Sequence, residues 1–279
     1  LSDRSFKSWK KRANIAEALF ENLAHVVAQS DVDGERFLSL GARPVTVSGN
    51  LKVDTTPPPA DDRTLYTLKR QIGARPTWAA ISTHDGEEVV AAEVHAMLHK
   101  RHHGLLTIVV PRHPDRAEAL ATQISGMGLK VARRSKGDRI IADTDILLGD
   151  TMGEMGLYLR LTEIAFVGRS LTSEGGQNPL EPAMLDTAVL AGRNVQNFRE
   201  TYQRLLDSGG AKLVRDRDML AGAVNFLLSN EVARHEMMAA GAATVDEMRG
   251  ALALTLKSLE PYIQPLAPLR RDLTTNGWM

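Results

Sequence analysis

Short apolar runs recur along the chain at Thr77–Ile81, Leu105–Val110, Lys130–Ala132, Ile146–Leu148, Ile164–Val167, Ala188–Leu190 and Lys212–Val214, alternating with segments of helical spacing. This rhythm of βαβ units predicts an α/β fold with a Rossmann-like, doubly wound parallel sheet. Upstream, Ile15, Leu19, Leu23, Val26 and Val27 fall at helical intervals and predict one helix over Ala13–Gln29, running into a turn-like Ser30-Asp31-Val32-Asp33-Gly34. A second short helix is expected to end at Gly41, followed by a short strand over Pro44–Val47. Pro57-Pro58-Pro59 suits neither a helix nor a central strand and reads as a linker. From Met219 to Ile263 the pattern is wholly helical, with Leu252, Leu256, Leu259 and Ile263 on one side and a break expected at Pro261. The expected organisation is therefore residues 1–56, a linker at 57–60, a sheet domain over 61–250 and a helix with tail over 251–279.

Composition narrows the class. With 43% hydrophobic and 24% charged residues, the 279-residue chain can bury a full core. Its 34 basic and 34 acidic residues cancel, so no global field would hold a nucleic acid and any anion site must be local. There are no cysteines, hence no disulfide or thiolate metal site, which fits a reducing cytoplasm. No apolar run reaches the ~20 residues of a bilayer span. The opening LSDRSFKSWKKR looks like the middle of a protein.

In a doubly wound sheet, ligands sit outside the carboxyl ends of the strands, so the residues after each strand are the candidates for chemistry. Four such segments are polar and glycine-rich: Ser82–Glu88 (STHDGEE), Pro111–Pro114 (PRHP), Gly149–Glu154 (GDTMGE) and the stretch from Gly168 through Glu181. In the last, Gly175-Gly176 precedes Asn178-Pro179, which reads as an N-cap followed by a first-turn proline. Free N–H groups there would attract a phosphate, and Glu181 one turn on could accept from ribose hydroxyls; an ordinary tight turn with a capped helix is the plainer alternative. Arg112 offers a planar fork for a phosphate or carboxylate, or is a surface arginine on a loop. Met152-Gly153-Glu154 pairs an acid with a glycine that admits close approach, or Glu154 completes a capping box begun at Thr151.

Other signals are set aside. Asp143-Thr144-Asp145 has a metal-binding form but precedes a strand, at the wrong edge of the sheet. His95, His99 and His103 are spaced by four, as zinc ligands on one helix face would be, yet an exposed helix face is the simpler reading. Gly126-Met127-Gly128 is expected to end a helix. Arg133, Arg134, Lys136 and Arg139 read as a solvated basic surface.

Taken as an ordered set, GNLK at 49–52, STHDGEE, PRHP, GDTMGE and GGQNPLEP at 175–182 resemble the 3-deoxy-D-manno-octulosonic acid (Kdo) transferases of lipopolysaccharide synthesis, over nearly all of residues 1–263. The resemblance implies a GT-B architecture, two Rossmann-like domains facing across a cleft. It implies inverting transfer of Kdo from CMP-Kdo to a lipid A precursor without a catalytic metal or other cofactor, at the cytoplasmic face of the inner membrane. Carried over residue by residue, Pro111 and Arg112, Met152, Gly153 and Glu154, and Asn178, Pro179, Leu180 and Glu181 match CMP-contacting motifs. Lys52 matches a lysine that stabilises the transition state. Arg169 stands where the family pattern has a second glycine, and Gln177 where it often has histidine.

On this reading residues 1–56 are the remnant of an acceptor-side domain, most of which, with the general base, is expected to lie upstream. The chain alone is then expected to bind nucleotide without turnover. A non-catalytic CMP-binding module and a related nucleotide-sugar epimerase are the alternatives. The apolar sides of 13–27 and 251–263 are expected to pack together or to mediate self-association. Phe6, Lys7, Trp9, Lys10 and Lys11 form a basic-aromatic stretch suited to peripheral contact with an anionic membrane, or else a frayed terminus.

Overall fold

The computed structural model describes residues 1–264. They divide into two units, Leu1–Thr55 with the chain from Asp246 onward, and Thr56–Val245. The tail of the expected 251–279 segment, from residue 265, lies outside the described residues.

In the smaller unit, helices α1 (Asp3–Lys10), α2 (Ala13–Phe20) and α3 (Asp31–Ser39) accompany a parallel pair of strands, β1 (Val26–Ala28) and β2 (Val45–Val47). The single helix expected over 13–29 is therefore corrected to a helix and a strand. Asn22 Nδ2 closes the end of α2 by donating to the Ala18 carbonyl at 2.6 Å, and the branched Val26 and Val27 then pair with Val45 and Thr46. The helical spacing of Ile15 and Leu19 marks an exposed side, whereas Ala16 and Phe20 face the core with Val26, Leu40 and Ala42. The segment read as a turn at 30–34 is the start of α3, where the Ser30 hydroxyl accepts from Asp33 N at 3.2 Å.

The basic-aromatic stretch is neither frayed nor turned outward as a lipid-facing band. It forms α1, and the Trp9 ring packs edge-on against Phe20 at 5.4 Å while Phe6 joins the same cluster. The helix Ala251–Ile263 runs through Pro261 instead of breaking there, because in a last turn proline removes a single exposed hydrogen bond. Its expected packing on residues 13–27 is corrected as well. Tyr262 meets Ala24 and His25, but Ile15, Leu19, Leu252, Leu256 and Ile263 all remain exposed. This helix is held at its other end, where Asp54 accepts from Gly250 N and Leu252 N at 2.8 and 2.6 Å.

The larger unit runs α4 (Asp62–Ile72), β3 (Thr77–Thr83), α5 (Glu87–Leu98), β4 (Leu106–Pro111), α6 (Ala117–Gly126), β5 (Val131–Arg133), β6 (Ile146–Leu148), α7 (Met155–Leu159), β7 (Ile164–Val167), α8 (Leu180–Met184), β8 (Ala188–Ala191), α9 (Arg199–Asp207), β9 (Ala211–Leu213), α10 (Arg217–Ser229) and α11 (Glu231–Glu247). All seven runs read as strands form one parallel sheet in the order β5-β6-β4-β3-β7-β8-β9. Every residue of β4, β6, β7 and β8 is buried, as expected of parallel strands covered on both faces. The core gathers Trp78, Val109, Leu148, Phe166 and Leu190 against Val94, Ile124 and Val224 of the flanking helices.

Candidate functional site

The strand order defines where a ligand would sit. From β3 the chain proceeds to β4, and from β7 it proceeds to β8 on the other side, so the crevice of the doubly wound sheet opens at the carboxyl ends of the adjacent β3 and β7. Both ends carry left-handed backbone at non-glycine residues, Ser82 with φ 50° and Arg169 with φ 54°. At Ser82 the ladder slips, since Ile81 pairs with Val110 but Thr83 pairs with Pro111. Such a bulge re-aims the residues that follow.

Glu87, at the first position of α5, wires the crevice together. Its buried carboxylate accepts from four backbone N–H groups, those of His84 and Arg169 on Oε2 at 2.9 and 2.7 Å and those of Ser170 and Leu171 on Oε1 at 2.9 and 3.0 Å. The β3 loop and the β7 loop thus share one anchor. Glu88 is equally buried; its Oε1 accepts from Thr83 Oγ1 and Arg116 Nη1, Oε2 has no partner among the described residues, and burial pushes its pKa up.

Pro111 ends β4, and Arg112 N extends the ladder by donating to the Thr83 carbonyl at 3.0 Å. The Arg112 side chain is exposed, with no hydrogen bond or ion pair to a described residue. His84 and His113 pack edge-on at 5.7 Å beside it. Burial holds the His84 imidazole below its ordinary pKa, with Arg169 and His113 adding repulsion against the opposing pull of the Ser82 carbonyl and Glu87.

After β6 the candidates are already engaged. Glu154 occupies the N-cap position of α7, not the third helical position, so the capping-box alternative is corrected. Its carboxylate binds Arg134 Nη2 at 2.8 Å and the Thr151 hydroxyl. Met152 is 71% exposed and Gly153 is unobstructed. Neighbouring Asp150 is buried and accepts from Arg133 Nε at 3.0 Å and from Ser135 N and Oγ at 2.8 and 2.6 Å. The basic surface read at 133–139 is corrected to this extent, since Arg133 and Arg134 are tied to carboxylates.

Burial alone would raise the Asp150 pKa, but the Ser135 and Arg133 contacts outweigh it and the value falls below the usual range. A carboxylate depressed in the folded state contributes stability that is complete above its unfolded pKa of about 4 and disappears as pH drops through the folded value. Asp150→Asn is therefore expected to lower stability at pH 7 and to flatten the loss as pH falls below about 4, as read from urea unfolding at stepped pH. An unaltered acid limb would refute that role.

The loop Gly168–Glu181 is where the sequence expectation needs most revision. Its glycines are not a row of free donors. Gly175 N donates to Gln196 Oε1 at 3.1 Å, Gly176 N to the Arg169 carbonyl at 2.8 Å and Gln177 N to the Gly168 carbonyl at 3.2 Å. They are glycines because of crowding and conformation; Gly176 has φ 74°, and a Cβ there would lie 2.8 Å from Val195 Cα. Buried Tyr202 fixes the loop further by donating to the Gln177 carbonyl at 3.3 Å. The expected Asn178 cap is corrected: α8 is only five residues long and Pro179 holds the N-cap position, one residue later than expected, while Asn178 Oδ1 accepts from Leu180 N at 3.1 Å and Pro179 and Leu180 are buried. An exposed helix end is thus replaced by a braced, half-buried turn in which Asn178 Nδ2 reaches Glu181 Oε1 at 3.5 Å.

Lys52 lies in the smaller unit, on a 3-10 turn (Leu51–Asp54) whose first N–H groups are capped by Asn50 Oδ1, 3.1 Å from Lys52 N. The other candidates all belong to the larger unit. Asp143 pairs with Lys130 Nζ at 2.5 Å, and Asp145 receives Lys130 N at 2.8 Å. The three histidines set aside as an exposed face do not share one. His95 is fully buried, bonded to Thr107 Oγ1 at 2.9 Å and facing Asp145 at 3.4 Å, while His103 lies beyond the end of α5.

The reading by residue types assigns no role to Glu87, Ser170, Gly192, Gln196 and Tyr202, and takes Arg169 only as a departure from the family pattern. Glu87 lay within a segment singled out as polar, yet an acid in a first helical turn carries no sign of partners more than 80 positions away.

Comparison with known proteins agrees with this architecture. The family model for 3-deoxy-D-manno-octulosonic-acid transferase (kdotransferase) matches residues 1–55. The 3-deoxy-D-manno-octulosonic acid transferase of Haemophilus influenzae is 34% identical over 273 residues, 95% of this chain and 63% of that protein. That of Bordetella pertussis is 34% identical over 267 residues, 93% of this chain and 62% of that protein. The crystal structure of the C-terminal CMP-Kdo binding domain of WaaA from Acinetobacter baumannii matches with a TM-score of 0.63 and 29% identity, covering 66% of this chain and 96% of that domain. The chain spans about three fifths of the length of these curated relatives. Together with the seven-stranded parallel sheet, these relatives show that the chain is similar to 3-deoxy-D-manno-octulosonic acid transferases over most of its length.

Proposed function

We propose that this chain supplies the donor side of a glycosyltransferase that moves Kdo from CMP-Kdo to a lipid A precursor, by an inverting reaction that needs no metal or other cofactor. The observation that carries the reading is the Arg112 guanidinium, which has no partner among the described residues, beside the β3–β7 crevice in a unit similar to a CMP-Kdo binding domain. A leaving CMP phosphate gains negative charge as the glycosidic bond breaks, and a cation aimed at it favours the transition state over the ground state. Arg112 fills that role, the loop at Asn178–Glu181 receives the ribose, Met152 to Glu154 line the base side, and Lys52 of the smaller unit adds charge stabilisation at the reacting centre.

These residues bind and stabilise; none is placed as a base for the acceptor hydroxyl. The 279 residues alone are accordingly proposed to bind CMP and CMP-Kdo without measurable transfer. The smaller unit belongs to the acceptor-side domain in this reading, and the reaction takes place at the cytoplasmic face of the inner membrane.

Calorimetric titration tests the donor assignment. Arg112→Ala is expected to weaken CMP binding by roughly 1.5–3 kcal/mol, the range of a hydrogen bond to a charged group. EDTA is expected to leave the affinity unchanged, and UDP to bind more weakly than CMP. Equal CMP affinity in the variant would remove Arg112 from the site, and a chelator-sensitive affinity would overturn the metal-free reading.

A further inference from the structure

We infer that Arg169 is a second cation of the donor site, binding an anionic group of the nucleotide-linked sugar at the mouth of the β3–β7 crevice. The inference rests on the donor-site reading above and deepens it. Arg169 lies two residues beyond the end of β7, at the point where the sheet's winding reverses. Its backbone is left-handed at φ 54°, a conformation that glycine adopts freely and that costs an arginine on the order of 1 kcal/mol. The loop imposes this conformation, because Glu87 takes the N–H groups of Arg169, Ser170 and Leu171 together.

The loop's own needs do not account for the side chain. Only Nε is used, donating to the Glu174 carbonyl at 3.0 Å; the terminal nitrogens have no partner among the described residues, and no carboxylate pairs with the guanidinium. The guanidinium is reached by solvent, and its terminal nitrogens offer the planar fork that suits a phosphate or a carboxylate. Its direction is also given. A Cβ on Gly175 would lie 3.2 Å from Arg169 Nε, so the side chain lies over the Gly175–Gly176 segment, and its charge is felt by His84 on the other flank of the crevice. The acids of the β3 loop and the start of α5 are already occupied, Glu87 by four N–H groups and Asp85 and Glu88 by Arg116. Arg169 and Arg112 thus each follow a strand at the carboxyl edge of the sheet, on the loops after β7 and β4.

Because the position favours glycine, Arg169→Gly removes the cation without disturbing the backbone. The full 279-residue chain is titrated with cytidine, CMP and freshly prepared CMP-Kdo, alongside Arg169→Gly and Arg169→Lys. Arg169→Asn, which also tolerates left-handed backbone, serves if the glycine variant is poorly folded. Arg169→Gly is expected to keep or raise the melting temperature and to leave cytidine affinity within about twofold. It is expected to weaken an anionic ligand by about tenfold or more, the measure of one charge-assisted hydrogen bond, with most of the affinity restored by lysine. A loss already present with CMP assigns the phosphate, and a loss confined to CMP-Kdo assigns the sugar acid. Equal affinity for both anionic ligands in the variant and the unaltered chain, or an equal loss for cytidine, would overturn the assignment. If the unaltered chain binds none of the three, the donor-site reading falls and this inference with it.

Discussion

Replacing Glu87 with alanine is expected to lower the unfolding free energy by about 3–5 kcal/mol. The carboxylate is 1% exposed and accepts from the backbone of both loops that meet at the crevice. Removing it leaves four N–H groups without an acceptor, each costing about 1–3 kcal/mol before relaxation and water entry recover part of the total. Glu87→Gln should also destabilise, though less, since its amide keeps one acceptor and turns a donor toward other donors. The wiring reaches binding as well. Arg169 N and His84 N share one oxygen, so freeing them loosens both loops and CMP affinity is expected to drop. Urea unfolding of the purified chain reads the first effect and calorimetry the second. A loss below about 1 kcal/mol would mean that water or other groups replace the carboxylate, and that it is not the anchor.

Gly192→Ala is expected to be as damaging for a different reason. A Cβ at this position, just after β8, would lie 1.9 Å from the Ser170 carbonyl oxygen, 2.2 Å from its carbon and 2.5 Å from Leu171 N. All three atoms are backbone, and the segment they belong to is held by Glu87 and by the Ser170 hydroxyl, which accepts Gly192 N at 2.7 Å. Neither side can yield without breaking that network, so the cost should exceed the ~1–3 kcal/mol of ordinary overpacking and lower the melting temperature by about 10 °C or more. Gly222→Ala on α10 is the control. A Cβ there meets nothing within 4 Å, and alanine is the better helix former by about 1 kcal/mol, so that variant should melt at or above the parent temperature. A Gly192→Ala protein melting with the parent would show that the two loops are not in rigid contact.

The two variants probe the same physical fact from opposite directions. The crevice is built from loops that carry almost no regular structure, and their shape is set by contacts across long sequence separations. Glu87 reaches Leu171 over 84 positions, and Ser170 reaches Gly192 over 22. Polar residues drawn into such contacts leave fewer groups free for a ligand than their number suggests. Glu154, bound to Arg134 and Thr151, is a case in point, while Arg112 remains open.

The strands of the larger unit were legible from residue order alone because their signal is local and strong. A parallel strand covered on both faces must be apolar throughout, so Ile146–Leu148 and Ile164–Val167 announce themselves and even their ends are correct. The same logic locates the strand-end loops, and hence Pro111–Arg112 and Asn178–Glu181, without knowledge of any contact. Where the signal is weak the reading slipped. Val26–Ala28 is three residues long and follows a true helix, so helical spacing was extended through it, and only its pairing with Val45–Val47 decides the matter. The glycines at 175 and 176 were visible as a motif, but their role was not. A glycine serves equally to expose an N–H or to let another segment approach, and which of these applies depends on whether Val195 and Gln196 arrive beside it. Burial of His95 and the fourfold acceptance by Glu87 belong to the same class. One residue type at one helical position admits both solvent and core, and the choice falls to strands and loops that only the folded chain brings within hydrogen-bond range.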